Sequence, residues 1–236
     1  MAVASTKRLN QFQFILRVSA SLIIWMLFAN VPLAHFFQNR QLISLVLLGI
    51  PFAILLNQVI LPRQNQLLTV ICDAVVGVLS IHLFFEQGTL NTILMLVDFI
   101  FANLLLLTQF INEPHGRWIT FGVINGSGLA FLFTVSYHHY FSLLSLMYIT
   151  TLIFSNIFFA YHGFMKKSNL SSLLIILILI ILLCLTLQLS FLRTVLITAI
   201  LAFYLFFESQ VNPKNYQKRA NVSTICYLFF SLLVCL

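Results

Sequence analysis

Long apolar runs alternate with short polar breaks along almost the whole chain. The runs fall at 15–36, 42–61, 67–85, 92–112, 118–140, 142–164, 171–192 and 194–209, and a shorter one closes the chain at 220–236. Each of the first eight is near the ~20 residues that carry a helix across a ~30 Å hydrocarbon core at 1.5 Å per residue. Residues 168–209 contain no good turn signal, yet a helix of that length would run about 63 Å, so we place a break at Arg193. The predicted fold is all-α: a polytopic transmembrane helix bundle of eight full spans plus a short C-terminal ninth hydrophobic segment, one integral membrane domain over residues 1–236. Pro32 and Pro51 are expected to kink the first two spans.

Composition supports a lipid solvent. Hydrophobic residues make up 61% of the chain and charged ones only 7%, against about 25% charged in a soluble domain, and the mean hydropathy is +1.05. The basic excess, 12 Lys and Arg against 5 acids, then reads as topology. With the N-terminus cytoplasmic, Lys7, Arg8, Arg17, Arg63, Arg117, Lys166, Lys167, Lys214, Lys218 and Arg219 lie inside, and only Arg40 and Arg193 lie outside, as the positive-inside rule requires. No basic run interleaved with aromatics is present to track a phosphate backbone, so nucleic acid is excluded as a partner. Cys72, Cys184, Cys226 and Cys235 all sit in apolar runs without C-x-x-C spacing and read as buried hydrophobes. The expected setting is the cell membrane, with the lipid bilayer as the constant partner. A small ligand within the bundle and a homo-oligomer are further partners such a chain can have. No motif calls for a cofactor or a metal.

Polar residues inside the spans are the candidate chemistry, because ionisable groups in lipid cost about 2.5–3.5 kcal/mol at a helix centre on the insertion scale. Placed by depth, they form two layers. The inner one holds Asn57, Asp73, Asn125, Ser127 and Asn156. The outer one holds His82, Asp98 and the cluster Ser136–Tyr140 ("SYHHY"). Asp73, Gly77 and Ser80 share one face of the third span, and His82 and Glu86 share the opposite one. A helix polar on two faces belongs among protein, so the third span is expected at the bundle centre, with Asp73 near Asn57, Asn125 or Asn156. Asp98 and His82 lie on adjacent spans at similar depth and can pair; the leading reading of Asp98 is structural, protonated or hydrogen-bonded to Asn103 or a hydroxyl, and a direct substrate or proton role is the third. Asn57, Asp73, Asn125, Asn156, His82 and Asp98 are therefore the ligand or ion candidates.

Weaker signals resolve into packing. "INGSGLAF" (Ile124–Phe131) departs from the Gly-x-Ser-Gly segment of rhomboid proteases, since Asn125 stands in place of the first glycine and His162 lies at a different depth from Ser127. Small residues for close helix approach are the simpler reading. His138 and His139 are adjacent and project about 100° apart on a helix, which does not suit a metal. Sequons at Asn125, Asn169 and Asn221 lie in the membrane or inside.

Three classes of function fit such a chain. The leading one is a transmembrane sensory or anchoring module, which the abrupt last segment suggests is the N-terminal part of a longer signalling protein. The alternative is a small-solute or ion transporter, and the third is an intramembrane enzyme acting on a lipid-linked substrate. No sequence motif identifies a catalytic residue.

Overall fold

The computed structural model describes the chain except Met1, Pro62, Arg63, residues 108–110, Asn112, residues 166–169, Pro213 and Lys214, and it describes residues 2–10 and Leu170 as backbone only. The expected cytoplasmic cations Lys7, Arg8, Arg63, Lys166, Lys167 and Lys214, and the sequon at Asn169, fall outside the described side chains. The described residues form ten helices and no strand: α1 (Ala2–Phe28), α2 (His35–Gln38), α3 (Arg40–Ile60), α4 (Gln66–Gln87), α5 (Thr89–Leu107), α6 (Pro114–His138), α7 (Leu143–Phe164), α8 (Leu170–Thr186), α9 (Phe191–Gln210) and α10 (Tyr216–Cys235). Seven of these, α1, α3–α7 and α9, are long and apolar enough to cross a bilayer; α8 is apolar but shorter.

Helix starts follow local chemistry. The side chains of Asn39, Asn65 and Ser142 accept hydrogen bonds from the backbone N–H groups of Gln41, Leu68 and Ser145 and so cap α3, α4 and α7, satisfying donors that a helix leaves open at its start. Pro114 opens α6 at a position where its missing N–H costs nothing. Two boundaries differ from expectation. The first span ends at Phe28, so Pro32 lies in the link to α2 and kinks nothing, whereas Pro51 is inside α3. The break expected at Arg193 lies at 187–190: Gln188 turns the chain at φ +55° and the Ser190 hydroxyl caps α9.

Packing corrects the central helix. Within its apolar window, α3 has 67% of its residues buried and α4 only 28%. Helix α4 packs on α3 and α5 and turns Val70, Val75, Val78, Ile81 and Phe85 outward. The expectation of α4 at the centre fails because its polar faces find partners at the helix ends and in a groove beside α5. The middle of the bundle is α3, α6 and α7 with α1. Helices α4 and α5 flank one side, and α8, α9 and α10 the other, with α10 returning to pack on α7 and α1.

The closest helix contact is between α6 and α7. A Cβ added at Gly122 would lie 3.0 Å from the Ile157 Cα, and one at Gly126 2.5 Å from the Ile153 Cα. These two glycines, one turn apart, let the backbones meet, which is how small residues hold helices together in lipid. The Trp118 indole clamps the same contact by donating to the Ile157 carbonyl at 2.5 Å. Gly126→Ala should therefore destabilise the protein by about 1–3 kcal/mol, the usual penalty of overpacking. Gly77→Ala, with open space around it, should not. Thermal unfolding in lipid nanodiscs checks both, and equal stability of the two variants would deny the α6–α7 contact its role.

Candidate functional site

The α6–α7 contact sets two asparagines face to face. Asn156 Nδ2 donates to its own helix at the Leu152 carbonyl, 2.9 Å away, which turns Asn156 Oδ1 toward α6, where Asn125 Nδ2 donates to it at 2.5 Å. Across from them on α3, Asn57 donates to the Ala53 carbonyl at 2.9 Å and to the Ser21 hydroxyl of α1 at 3.3 Å. The three asparagines line one cavity of about 60 Å³ between α1, α3, α6, α7 and α10. That is room for a few waters or one small polar group. It lies in the half of the bundle that holds the start of α1, which we call the amino-terminal end.

The rest of the wall carries charge and hydroxyls. Arg17 of α1 donates to Asn221 of α10 at 3.2 Å, and its guanidinium sits 5.9 Å from the centre of the Tyr216 ring. The His162 Nδ1 is 2.9 Å from the Phe159 carbonyl, and the Ser223 hydroxyl donates to the same carbonyl at 2.6 Å. Farther from the amino-terminal end lies an aromatic layer that is not part of the cavity lining. Trp25 and Phe52 lie 5.6 Å apart, Phe52 and Phe99 5.2 Å apart, and the Trp25 indole donates to the Asn125 carbonyl at 2.6 Å. Beyond it Phe28, Leu48, Leu129, Phe133, Leu152 and Phe230 are fully buried.

Beside the cavity lies a buried ion pair. Arg219, the first turn of α10, places Nε and a terminal nitrogen 2.8 and 2.6 Å from Glu208 Oε2 near the end of α9, and both side chains are almost wholly enclosed. Such a pair contributes little relative to apolar residues, but removing one partner strands a charge, at about 3–5 kcal/mol. Glu208→Gln alone should thus lower stability by that order, and Glu208→Leu with Arg219→Met should recover most of it. A double variant as unstable as the sum of its singles, measured by denaturant unfolding in mixed micelles, would contradict the pairing.

The structure divides the candidate residues. Asn57, Asn125 and Asn156 share the cavity. Asp73 does not join them: Asn103 of α5 donates to it at 2.9 Å, and both border a groove of about 400 Å³ between α4 and α5 with Gly77 and Phe99. Ser127 bonds back to the Val123 carbonyl of its own helix. At the opposite end of the bundle, His82 meets Glu86 at 3.3 Å, and Glu86 also takes the Arg40 guanidinium at 2.6 Å and the Ser44 hydroxyl. The candidate Asp98–His82 pair does not form, and His82 joins an Arg40–Glu86–His82 cluster instead. Helix α5 begins at Thr89, not Thr92, which places Asp98 about 13.5 Å along it, near its middle. There the carboxyl packs on Gly128 of α6: a Cβ on that glycine would fall 2.7 Å from the Asp98 Cγ. Ser136 bonds Gln87 at 3.0 Å, and His138 approaches the Asn30 carbonyl. Among the described residues no three potential metal ligands converge.

Sequence reasoning missed Arg17, Tyr216, Glu208 and Arg219 as site residues. It assigned Arg17 and Arg219 to cytoplasmic flanks. The signal was there: Arg17 stands between Leu16 and Val18, inside an apolar run that starts at Gln11, and Arg219, Ser223 and Tyr227 recur every four residues along α10. No protein-family model matches the chain, and no curated protein or solved structure matches it either. Because His82 and Asp98 share no partner, His82→Ala and Asp98→Asn should add in their effects on stability, whereas His82→Ala and Glu86→Gln should not. A coupling above about 0.5 kcal/mol in the first cycle would restore the original pairing.

Proposed function

We propose that the protein is a sensory module of the cell membrane that receives a small polar ligand in the amino-terminal cavity from the cytoplasmic side. The observation that carries this reading is that the polar groups of the bundle interior gather in one cavity at one end. Arg17, Asn57, Asn125, Asn156 and Ser223 line it, and the apolar Trp25–Phe52–Phe99 layer lies on the side away from the amino-terminal end. Threonines and serines beyond the layer, such as Thr134 and Thr151, spend their hydroxyls on backbone carbonyls and offer no path. A conduit would need polar groups continued toward the other face; a receptor needs only one entrance. With Arg17 and Arg219 set aside as bundle residues, the remaining basic residues divide eight to two and favour a cytoplasmic entrance. Helices α8 and α10, with 17 and 20 residues and so about 25 and 30 Å long, make further crossings in this reading. The low apolarity of α10 follows from its polar stripe facing the cavity.

Single cysteines test this in a protein whose four native cysteines are replaced by alanine. Tyr140→Cys, at an exposed position, should react with a membrane-impermeant thiol reagent in intact cells. Thr224→Cys, on the cavity wall, should react with a small neutral thiosulfonate only in inside-out vesicles. Reaction of Thr224→Cys from both faces would instead favour a transporter with alternating access. Its inertness from both would remove the cavity reading, and labelling of Tyr140→Cys only in inside-out vesicles would reverse the orientation.

A further inference from the structure

We propose that the cavity binds a singly charged oxyanion that carries at least one O–H group, with Arg17 as the charge that holds it; this rests on the cavity being an accessible ligand site. Arg17 lies six residues into its apolar window, about 9 Å along the helix axis. A cation at that depth needs a partner or an aqueous contact. The five acidic side chains of the chain are all described and all placed elsewhere. Glu208 holds Arg219, Glu86 holds Arg40 and His82, Asp73 holds Asn103, Asp98 packs on Gly128, and Glu113 is exposed just before α6. Arg17 is left with neutral partners, the Asn221 amide and the Tyr216 side chain, and its Nε is buried without an acceptor. Among the described residues no carboxylate forms an ion pair with it. The contrast with Arg219, an arginine on the neighbouring helix with a dedicated glutamate, marks the unmet charge as a feature of the cavity. A guanidinium that keeps a donor free is suited to an oxyanion.

The acceptors refine the ligand. Asn156 is fixed by its bond to the Leu152 carbonyl, so Asn125 must present its Nδ2 to Asn156, and its Oδ1 is left buried without a donor. The Phe159 carbonyl can only accept, so the His162 Nδ1 carries the proton toward it, and Nε2 is the remaining ring nitrogen, an acceptor in the neutral ring. A bare anion would meet the Asn125 oxygen unfavourably. A hydrogencarbonate, a dihydrogen phosphate or a hydroxyl-bearing phosphodiester can accept from Arg17 and donate to Asn125 Oδ1 at once. The cavity of about 60 Å³ admits a group of that size. A free anion and a lipid headgroup such as phosphatidylglycerol share this chemistry.

Thermal unfolding of the full chain in phosphatidylcholine nanodiscs, at fixed ionic strength, is the test. Phosphate or hydrogencarbonate should raise Tm with saturation, as a ligand of the native state does, while nitrate, with the same charge and no O–H, should not. Arg17→Gln should weaken the apparent Kd about tenfold or more, the loss expected for a charge-assisted hydrogen bond. Arg17→Lys should retain more of the shift, and Asn125→Leu should reduce the preference for phosphate over nitrate. If the natural occupant is a lipid headgroup, nanodiscs containing phosphatidylglycerol should raise Tm in the parent protein but not in Arg17→Gln, and added phosphate should then contribute nothing. Equal shifts with nitrate and phosphate, shifts indifferent to Arg17, or no shift with any anion or lipid would overturn the proposal. Should Thr224→Cys react with the neutral reagent while these effects are missing, the anion site alone fails; should it stay inert, the cavity reading fails with it.

Discussion

Lipid tails give a helix no hydrophobic reason to leave them for another helix, so close van der Waals approach has to hold a bundle together. Here that approach is concentrated where Gly122 and Gly126 bring the α6 backbone against Ile157 and Ile153 of α7. The candidate site depends on it. Asn125 and Asn156 meet at 2.5 Å because the two helices do, and the Trp118 indole reaches the Ile157 carbonyl for the same reason. The adjacent Phe159 carbonyl then gathers Tyr204 of α9 and Ser223 of α10. One close contact thus positions α9 and α10 relative to a cavity whose other walls come from α1 and α3.

Polar chemistry sorts to the two ends of the bundle, and the ends differ in kind. At the end holding the start of α3 and the α4–α5 turn, Glu86 meets Arg40, His82 and Ser44, and Gln87 links the Gln41 carbonyl to Ser136. Those contacts tie α3, α4 and α6 together. At the amino-terminal end Glu208 takes Arg219 through Oε2 alone, and Arg17 and Asn125 keep unmatched atoms in side chains that line the cavity. Satisfied networks specify packing, and unsatisfied buried groups are where a ligand has something to gain. Arg17 and Asn125 stand out because their unmatched atoms belong to side chains that line a cavity.

Much of the architecture was legible in the sequence because the period of apolar runs has few rivals in lipid. All nine runs became helices, and the α7 boundaries were placed to within a residue. The breaks were less legible: Ser190 caps α9 after a left-handed Gln188, a signal too local to stand out in a run of Leu and Ile. The site was half legible. Depth alone grouped Asn57, Asn125 and Asn156, because residues at one level on neighbouring helices meet whichever helices are neighbours. Depth could not say which helix is central, so Asp73 was assigned to the wrong neighbours, and α4 was put inside when its apolar flanks face outward. Charges near run ends were read as topology alone, which hid Arg17 and Arg219.

Helix α10 shows why composition and position in a bundle have to be read together. It is among the least apolar of the long helices, and by hydropathy alone it would be a poor span. Its polar residues are not scattered, however. Ser223 and Thr224 line the cavity, Tyr227 follows one turn on, Arg219 is buried against Glu208, and Asn221 holds Arg17. The outward positions, Ile225 and Phe229 among them, remain apolar and exposed. A helix of this kind is insoluble in lipid on one side and required by the site on that same side, so it is stable only when docked on α1 and α7. Anything that fills the cavity touches α1, α7 and α10 together and adds to that docking. The polar stripe that weakens α10 as a span is thus the same feature that ties its position to the cavity and to α1 and α7.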